Sequence, residues 1–339
     1  MKHTRQLLAL LCALAMIAAA CGGSDAEDTA DAETATTEAD ESTDEAMDDE
    51  AMEEDEAMED DAMDDEAGDF PVTIESDGGT WTLEAAPERI VSLSPTATEI
   101  LFAIGAGDQV VAVDSFSYFP EEAPVTDLSG FDPNVEAVIA FEPDLVVIAN
   151  DANDLIASLT ALDIPVLVSS APADIEGGYA TMAELGVASG HVDATADVIV
   201  ALRDEIAAAF AVAPDTEVRV YHELGEGLFS ASSFGFVGSV YAEMGAFNIA
   251  DEADVDAIGF PQLTEEYIIA ADPELIVITD QGGYTAEDLA ARPGWSEITA
   301  VQNGNIVTVN ADIASRWGPR LPQFIQAVAD AVAAMSVDA

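Results

Sequence analysis

The chain has 339 residues, a formal net charge of -60 and a composition that is 50% apolar. That length fits about two domains at roughly 150 residues each, with apolar residues enough for a sizeable core. Its cations are one lysine, Lys2, and otherwise arginines, so the basic stripe that a nucleic-acid binder needs is missing and no nucleic-acid partner is expected.

Residues 1–21 read as a targeting segment. Lys2, His3 and Arg5 precede an apolar run from Leu7 to Ala20, which is too short to span a bilayer at ~20 residues per helix. The run ends Ala18-Ala19-Ala20-Cys21-Gly22. This resembles a bacterial lipobox, with Ala18 where that motif usually carries Leu. The resemblance implies that Cys21 is lipidated and anchors the mature chain to the outer face of the membrane; cleavage without lipid is the other reading. The remaining cysteine, Cys12, lies inside the leader, so no disulfide is expected. Residues 22–69 repeat acidic clusters around Met47, Met52, Met58 and Met63. Such a stretch repels itself and buries little, so it is expected to be a disordered tether.

The folded part starts with an alternating stretch, Val72 to Leu83, around Asp77-Gly78-Gly79, which reads as a hairpin. A strand at Ile90 to Leu93 runs into Ser94-Pro95-Thr96, a helix start with Ser at the cap and Pro at the first position. A second strand, Val110 to Val113, leads to an aromatic loop with Phe116, Tyr118 and Phe119. Next comes a unit that the chain contains twice: Asn134 to Ile148, and Thr264 to Ile278. Aligned on Pro143 and Pro273, Glu136 falls on Glu266 and Leu145-Val146-Val147-Ile148 on Leu275-Ile276-Val277-Ile278. Each copy reads as a short helix, a proline break and a strand buried on both faces. A strand at Ile164 to Val168 closes the first half. Helices are expected over Ile175 to Ser189 and, with clear 3.6-residue periodicity, Asp193 to Phe210.

The second half mirrors the first: a strand at Val218 to Tyr221, a helix at Val237 to Met244, the second repeat copy, a strand at Ile306 to Val309, a polar loop from Asp312 to Arg320, and a last helix from Pro322. The alternation predicts an α/β protein of two Rossmann-like lobes with parallel sheets and a cleft between them. The expected boundaries are 70–190 for the first lobe, 191–213 for a stiff linking helix and 214–339 for the second lobe.

Ligands of such sheets bind beyond the carboxyl ends of the strands. The candidate ligand contacts are therefore Ser94, Pro95, Thr96, Phe116, Tyr118, Phe131, Asn150 and Asp151 from the first half. From the second they are Tyr221, His222, Ser232, Phe234, Phe260, Asp280, Arg316 and Trp317. Aromatics, hydroxyls and amides suit a bulky polar ligand held by stacking and hydrogen bonds. No G-x-S-x-G elbow, H-E-x-x-H, Cys/His cluster or phosphate loop occurs, so no catalytic residue, cofactor or resident metal is expected. Arg316 reads as a fork for an anionic ligand group or as half of an internal salt bridge. His222 reads as a half-buried, hydrogen-bonded histidine or as an iron or haem ligand paired with Tyr118 or Tyr221.

Four stretches together resemble the substrate-binding proteins of bacterial ABC importers for cobalamin and ferric siderophores. They are Arg89-Ile90-Val91-Ser92-Leu93-Ser94-Pro95 with Thr98-Glu99, Ala140-x-x-Pro143-Asp144-Leu145-Val146, Gly245-Ala246-x-Asn248-Ile249-Ala250, and Ala314-Ser315-Arg316-x-x-Pro319-Arg320. The resemblance implies two lobes joined by one long helix, no enzymatic activity, a monomer, and delivery of a metal chelate to an ABC permease driven by its ATPase. It implies that Glu136 and Glu266 dock onto permease arginines. Where the cobalamin binders carry aromatics, this chain has Asn150 and Ile313. A haem importer's binding protein, or an adhesion or signalling module with a vestigial cleft, are the alternatives.

Overall fold

The computed structural model describes residues 70–213 and 217–335. The leader, Cys21 and the acidic tether lie outside the described residues. A hairpin of β1 (Val72–Ser76) and β2 (Gly79–Leu83) opens the fold. Ser76 fastens it to the first lobe, its hydroxyl donating to the Val166 carbonyl at 3.4 Å and accepting from the Val168 amide at 3.2 Å.

The first lobe contains β3 (Ile90–Leu93), α1 (Pro95–Ala103), β4 (Val110–Asp114), β5 (Val125–Leu128), α2 (Val135–Ile139), β6 (Leu145–Ile148), α3 (Leu155–Thr160) and β7 (Val166–Val168). Its sheet is parallel, in the order β5-β4-β3-β6-β7. Two helices follow, α4 (Ile175–Ser189) and α5 (Val192–Phe210). The second lobe contains β8 (Arg219–Glu223), α6 (Phe236–Glu243), β9 (Phe247–Asn248), α7 (Glu265–Ala271), β10 (Leu275–Thr279), α8 (Ala286–Ala290), α9 (Thr299–Asn303), β11 (Ile306–Val309), α10 (Ala311–Ser315) and α11 (Leu321–Met335). Its sheet is parallel, ordered β11-β10-β8-β9.

Setting β8 on β3 shows the duplication. β9 then takes the place of β4, and β10 and β11 those of β6 and β7. Among the described residues, the second lobe has no counterpart of β5. The repeated unit is built alike in both lobes. Asn134 and Thr264 cap α2 and α7 by accepting from the amides of Ala137 and Tyr267. The acid after each proline clamps the first strand: Asp144 accepts from the amides of Glu88 and Arg89 at 2.8 and 2.9 Å, and Glu274 from that of Arg219 at 3.1 Å. The two arginines answer, Arg89 Nε reaching the Phe141 carbonyl at 3.0 Å and Arg219 Nε that of Asp272 at 2.9 Å.

Successive strand residues point to opposite faces, so each sheet feeds two cores. Val146 and Ile148 face an outer layer beneath α2 and α3, and Ile276 and Ile278 the equivalent layer of the second lobe. Leu145 and Val147 share one inner core with Leu275 and Val277, and this core passes through α4, α5 and α11. Helix α4 packs against α1 of the first lobe and α6 of the second, whereas α5 lies on α4 and α11. The stripe that α5 buries is Thr195, Leu202, Ile206 and Ala209. Val192, Ala196 and Val200 of the same helix are exposed.

Candidate ligand-binding cleft

The loops beyond the strand ends of the two lobes meet around α10. Ser94 caps α1, its Oγ accepting from the Ala97 amide at 3.3 Å, and α1 carries Glu99 into the junction. Glu99 is 2% exposed and meets two guanidiniums of the other lobe. Arg316 Nη1 donates to its Oε1 at 2.5 Å, and Arg320 donates Nε to Oε2 at 2.8 Å and Nη2 to Oε1 at 2.5 Å. Arg316 also donates to Asp312 Oδ1 at 2.8 Å and to the Phe116 carbonyl at 3.3 Å. Tyr118 reaches the other carboxylate oxygen of Asp312, and this hydrogen bond raises the phenol above its ordinary pKa.

Aromatic side chains stand over this ionic floor. Asp114, at the end of β4, fixes their loop by accepting from the Phe116 amide at 2.8 Å and from Ser117 Oγ at 3.1 Å. Burial raises its carboxyl above the usual range despite those bonds. Phe116 is 51% exposed and packs edge-on against Phe131, itself 76% exposed, with centroids 5.6 Å apart. Phe119 lies against the Arg320 guanidinium, 4.1 Å from the ring centre. Asn153 donates to Asp132 at 2.8 Å, joining the loop of Asn150 and Asp151 to that of Phe131. In the second lobe the Phe234 and Phe260 loops are bound together. The Ser232 amide donates to the Gly259 carbonyl at 2.9 Å, and Asp254 accepts from Ser232 Oγ at 2.5 Å and from the Gly259 amide at 2.8 Å. Gly238 permits this loop to fold back: a Cβ there would sit 1.9 Å from the Ser232 carbonyl oxygen. Asp280 holds the start of α10, accepting from Asn310 Nδ2 and the Ala311 amide, both at 2.9 Å.

Phe116, Tyr118, Phe131, Asn150, Asp151, Phe234, Phe260 and Asp280 are thus exposed beyond strand ends. Pro95 is partly buried and Thr96 buried at the start of α1. The other candidates turn inward. Tyr221 and His222 have no exposed surface. Tyr221 donates to Glu223 at 3.0 Å, and His222 Nδ1 pairs with the Tyr241 hydroxyl at 2.9 Å beneath the Phe324 ring. A strand buried on both faces leaves its last side chains no route to the cleft, which removes His222 and Tyr221 as iron ligands in this arrangement. Ser94 and Ser232 spend their hydroxyls on the backbone and on Asp254. Trp317 is 9% exposed and packs on Phe236 and along Gly178 of α4, a junction contact rather than a ligand surface. Arg316 is the salt bridge of its two readings, not the free fork. The sequence reading passed over Glu99 and Asp312. A lone carboxylate among Ala97, Ile100 and Leu101 on the buried face of a helix was the available signal. A separate cavity of about 670 Å³, lined by Arg219, Phe247 and Tyr267 among others, opens at the β9 edge away from these loops.

Residues 90–313 match the family described as periplasmic binding protein. The chain belongs to that family. A cobalamin-binding protein of Halobacterium salinarum is 35% identical over 276 residues, 77% of this chain and 74% of the relative. An uncharacterized ABC transporter substrate-binding lipoprotein of Bacillus subtilis is 32% identical, covering 78% of this chain and 86% of its own. The solved periplasmic heme-binding protein RhuT of Roseiflexus superposes with a TM-score of 0.65 at 26% identity, over 73% of this chain and 98% of its own. Two α/β lobes are therefore the architecture of this family member, as the alternation and the repeat predicted.

Proposed function

We propose that this chain is the extracytoplasmic, lipid-anchored binding protein of an ABC importer, that it is not an enzyme, and that it captures a bulky metal chelate, a corrinoid foremost. One observation carries the ligand class: Phe116, Tyr118, Phe131, Phe234 and Phe260 are exposed together at the strand ends around the lobe junction. Large apolar rings left open to water mark a surface kept for a partner, and rings beside amides and carboxylates suit a macrocycle with amide arms. The 35% identical cobalamin-binding relative supports the corrinoid. Haem is less well served. His222 is buried, and Tyr118 holds its proton against Asp312 instead of offering a phenolate to iron.

Glu136 and Glu266 are both exposed, and each is the second residue of its capped helix in the duplicated unit. That placement supports paired contacts with a permease dimer whose ATPase powers import. Residues 1–21 and 22–69 then serve as leader and tether, with Cys21 as the anchor point. Native mass spectrometry of the full chain with cyanocobalamin, a ferric trihydroxamate and haem tests the reading. A 1:1 corrinoid complex is expected. A haem complex with no corrinoid complex would overturn the ligand assignment, and no complex at all would overturn chelate capture.

A further inference from the structure

We infer that Glu99 sets the charge preference of the cleft: with Asp312 it neutralises Arg316 and Arg320, so that the site selects neutral and cationic chelates and rejects polyanionic ones. The inference rests on the chelate-capture reading.

The cations near the cleft are already spent. Arg316 and Arg320 close on one Glu99 carboxylate at 2.5 to 2.8 Å, and Asp312 supplies Arg316 with a second at 2.8 Å. Two acids against two arginines leave the floor neutral. Arg292, the remaining arginine on that side of the second lobe, is held bidentate by Glu223 at 2.7 and 2.8 Å. Arg89 and Arg219 sit at the opposite, amino ends of β3 and β8, and Arg203 lies on α5 with Glu176. Asp132, Asp151 and Asp280 are exposed in the loops that carry the candidate contacts, and among the described residues none of them meets an arginine. A ligand carboxylate or catecholate would meet negative charge at the rim and no free donor fork beneath. An ionised ligand group is held well only where a charge partner answers it.

The protein's overall acidity would also disfavour anions, but that field is screened beyond about 8 Å at physiological salt. The buried floor is screened less, so a local effect survives there. The decisive comparison holds shape fixed and changes charge. Cyanocobalamin and its carboxylate derivatives, in which side-chain amides are hydrolysed one at a time, form one series. Ferrioxamine B, a cation, with its N-acetyl and N-succinyl forms, neutral and anionic, forms a second. Dissociation constants for the full chain are measured by calorimetry at physiological salt, for the wild type and for Glu99→Gln.

In whichever series binds, affinity is expected to fall by about tenfold for each added negative charge, about 1.4 kcal/mol. Glu99→Gln frees a positive charge in the floor, so the fall is expected to flatten or reverse. Glu99→Gln combined with Arg320→Gln removes one charge of each sign and is expected to restore the wild-type preference. Anionic members that bind the wild type as tightly as neutral ones would overturn the inference and leave chelate capture standing. So would a double variant as flat as Glu99→Gln, which would trace the change to distortion and not to charge. If Glu99→Gln does not fold, Arg320→Gln decides: it removes one positive charge from the floor and is expected to steepen the fall, and a slope unchanged from wild type would overturn the inference. Binding of no member of either series would overturn chelate capture and the charge preference with it.

Discussion

His222 shows what burial does to a single side chain. Its Nε2 has no hydrogen-bond partner among the described residues, its Nδ1 faces the Tyr241 hydroxyl, and loss of hydration lowers its pKa from 6.5 to about 4. Between those values the unfolded chain takes up a proton that the folded chain refuses. The folded pKa is the lower one, so this contribution is fully present above pH 6.5 and is lost as pH falls toward 4, at up to about 1.4 kcal/mol per pH unit. His222→Gln should flatten that part of the stability profile in urea unfolding followed between neutral and mildly acidic pH; a variant as acid-sensitive as the wild type would contradict it. Glu223 poses the opposite problem. It has no exposed surface and depends on Arg292 and the Tyr221 hydroxyl. Arg292→Met would strand a buried carboxylate, and a loss of about 3–5 kcal/mol is expected, read as a lower urea midpoint. These positions also show the limit of reading a strand end from sequence. Tyr221-His222-Glu223 looks like a polar tip beside a ligand, but β8 is sealed on both faces, and only the tertiary fold reveals that the three are consumed inside it.

Elements with strong local signals were legible, and those defined by their neighbours were not. The apolar runs of β3, β6 and β10, the Ser94-Pro95 start of α1 and the duplicated unit follow from composition and spacing. Strand β5 has only Leu128 buried, and β9 is two residues long, so neither offers a run or an alternation to find. Helix α10 looks like loop in the sequence, because its five residues owe their order to Asn310 capping and to Asp280. Helix α5 shows the clearer periodicity in the sequence, and α4 packs beside it against elements of both lobes. Gly186 allows the crossing of α4 and α5, since a Cβ there would lie 2.2 Å from Thr195 Oγ1 and 2.8 Å from its Cβ. Gly186→Ala would add up to about 1 kcal/mol of helix propensity but force the helices apart, and overpacking of this kind typically costs about 1–3 kcal/mol. A net fall in melting temperature is expected; a rise would mean that the crossing relaxes without strain.

At the scale of the molecule, the inner core runs unbroken from Leu145 and Val147 through α4 and α11 to Leu275 and Val277, and Glu99 ties the lobes a second time. Opening a hinge there would expose packed apolar surface and break a buried ion pair, so ligand capture should proceed with limited closure. X-ray scattering is expected to show nearly the same radius of gyration with and without ligand, and a large ligand-driven contraction would refute this. A body of nearly fixed shape also keeps its two outward acids at a nearly fixed spacing. Glu136 and Glu266 sit at matching positions because the duplicated unit places the second residue of α2 and of α7 alike. Reversing exposed charges at a protein interface chiefly slows association, and the effect depends on salt. Glu136→Arg with Glu266→Arg should therefore abolish stimulation of the permease ATPase in reconstituted vesicles, while ligand affinity stays within about twofold of wild type, since neither residue is one of the candidate ligand contacts. Either single reversal should leave partial stimulation that weakens further with added salt. Full stimulation by the double variant would place the docking surface elsewhere, and lost ligand binding would show that the helices serve the cleft instead.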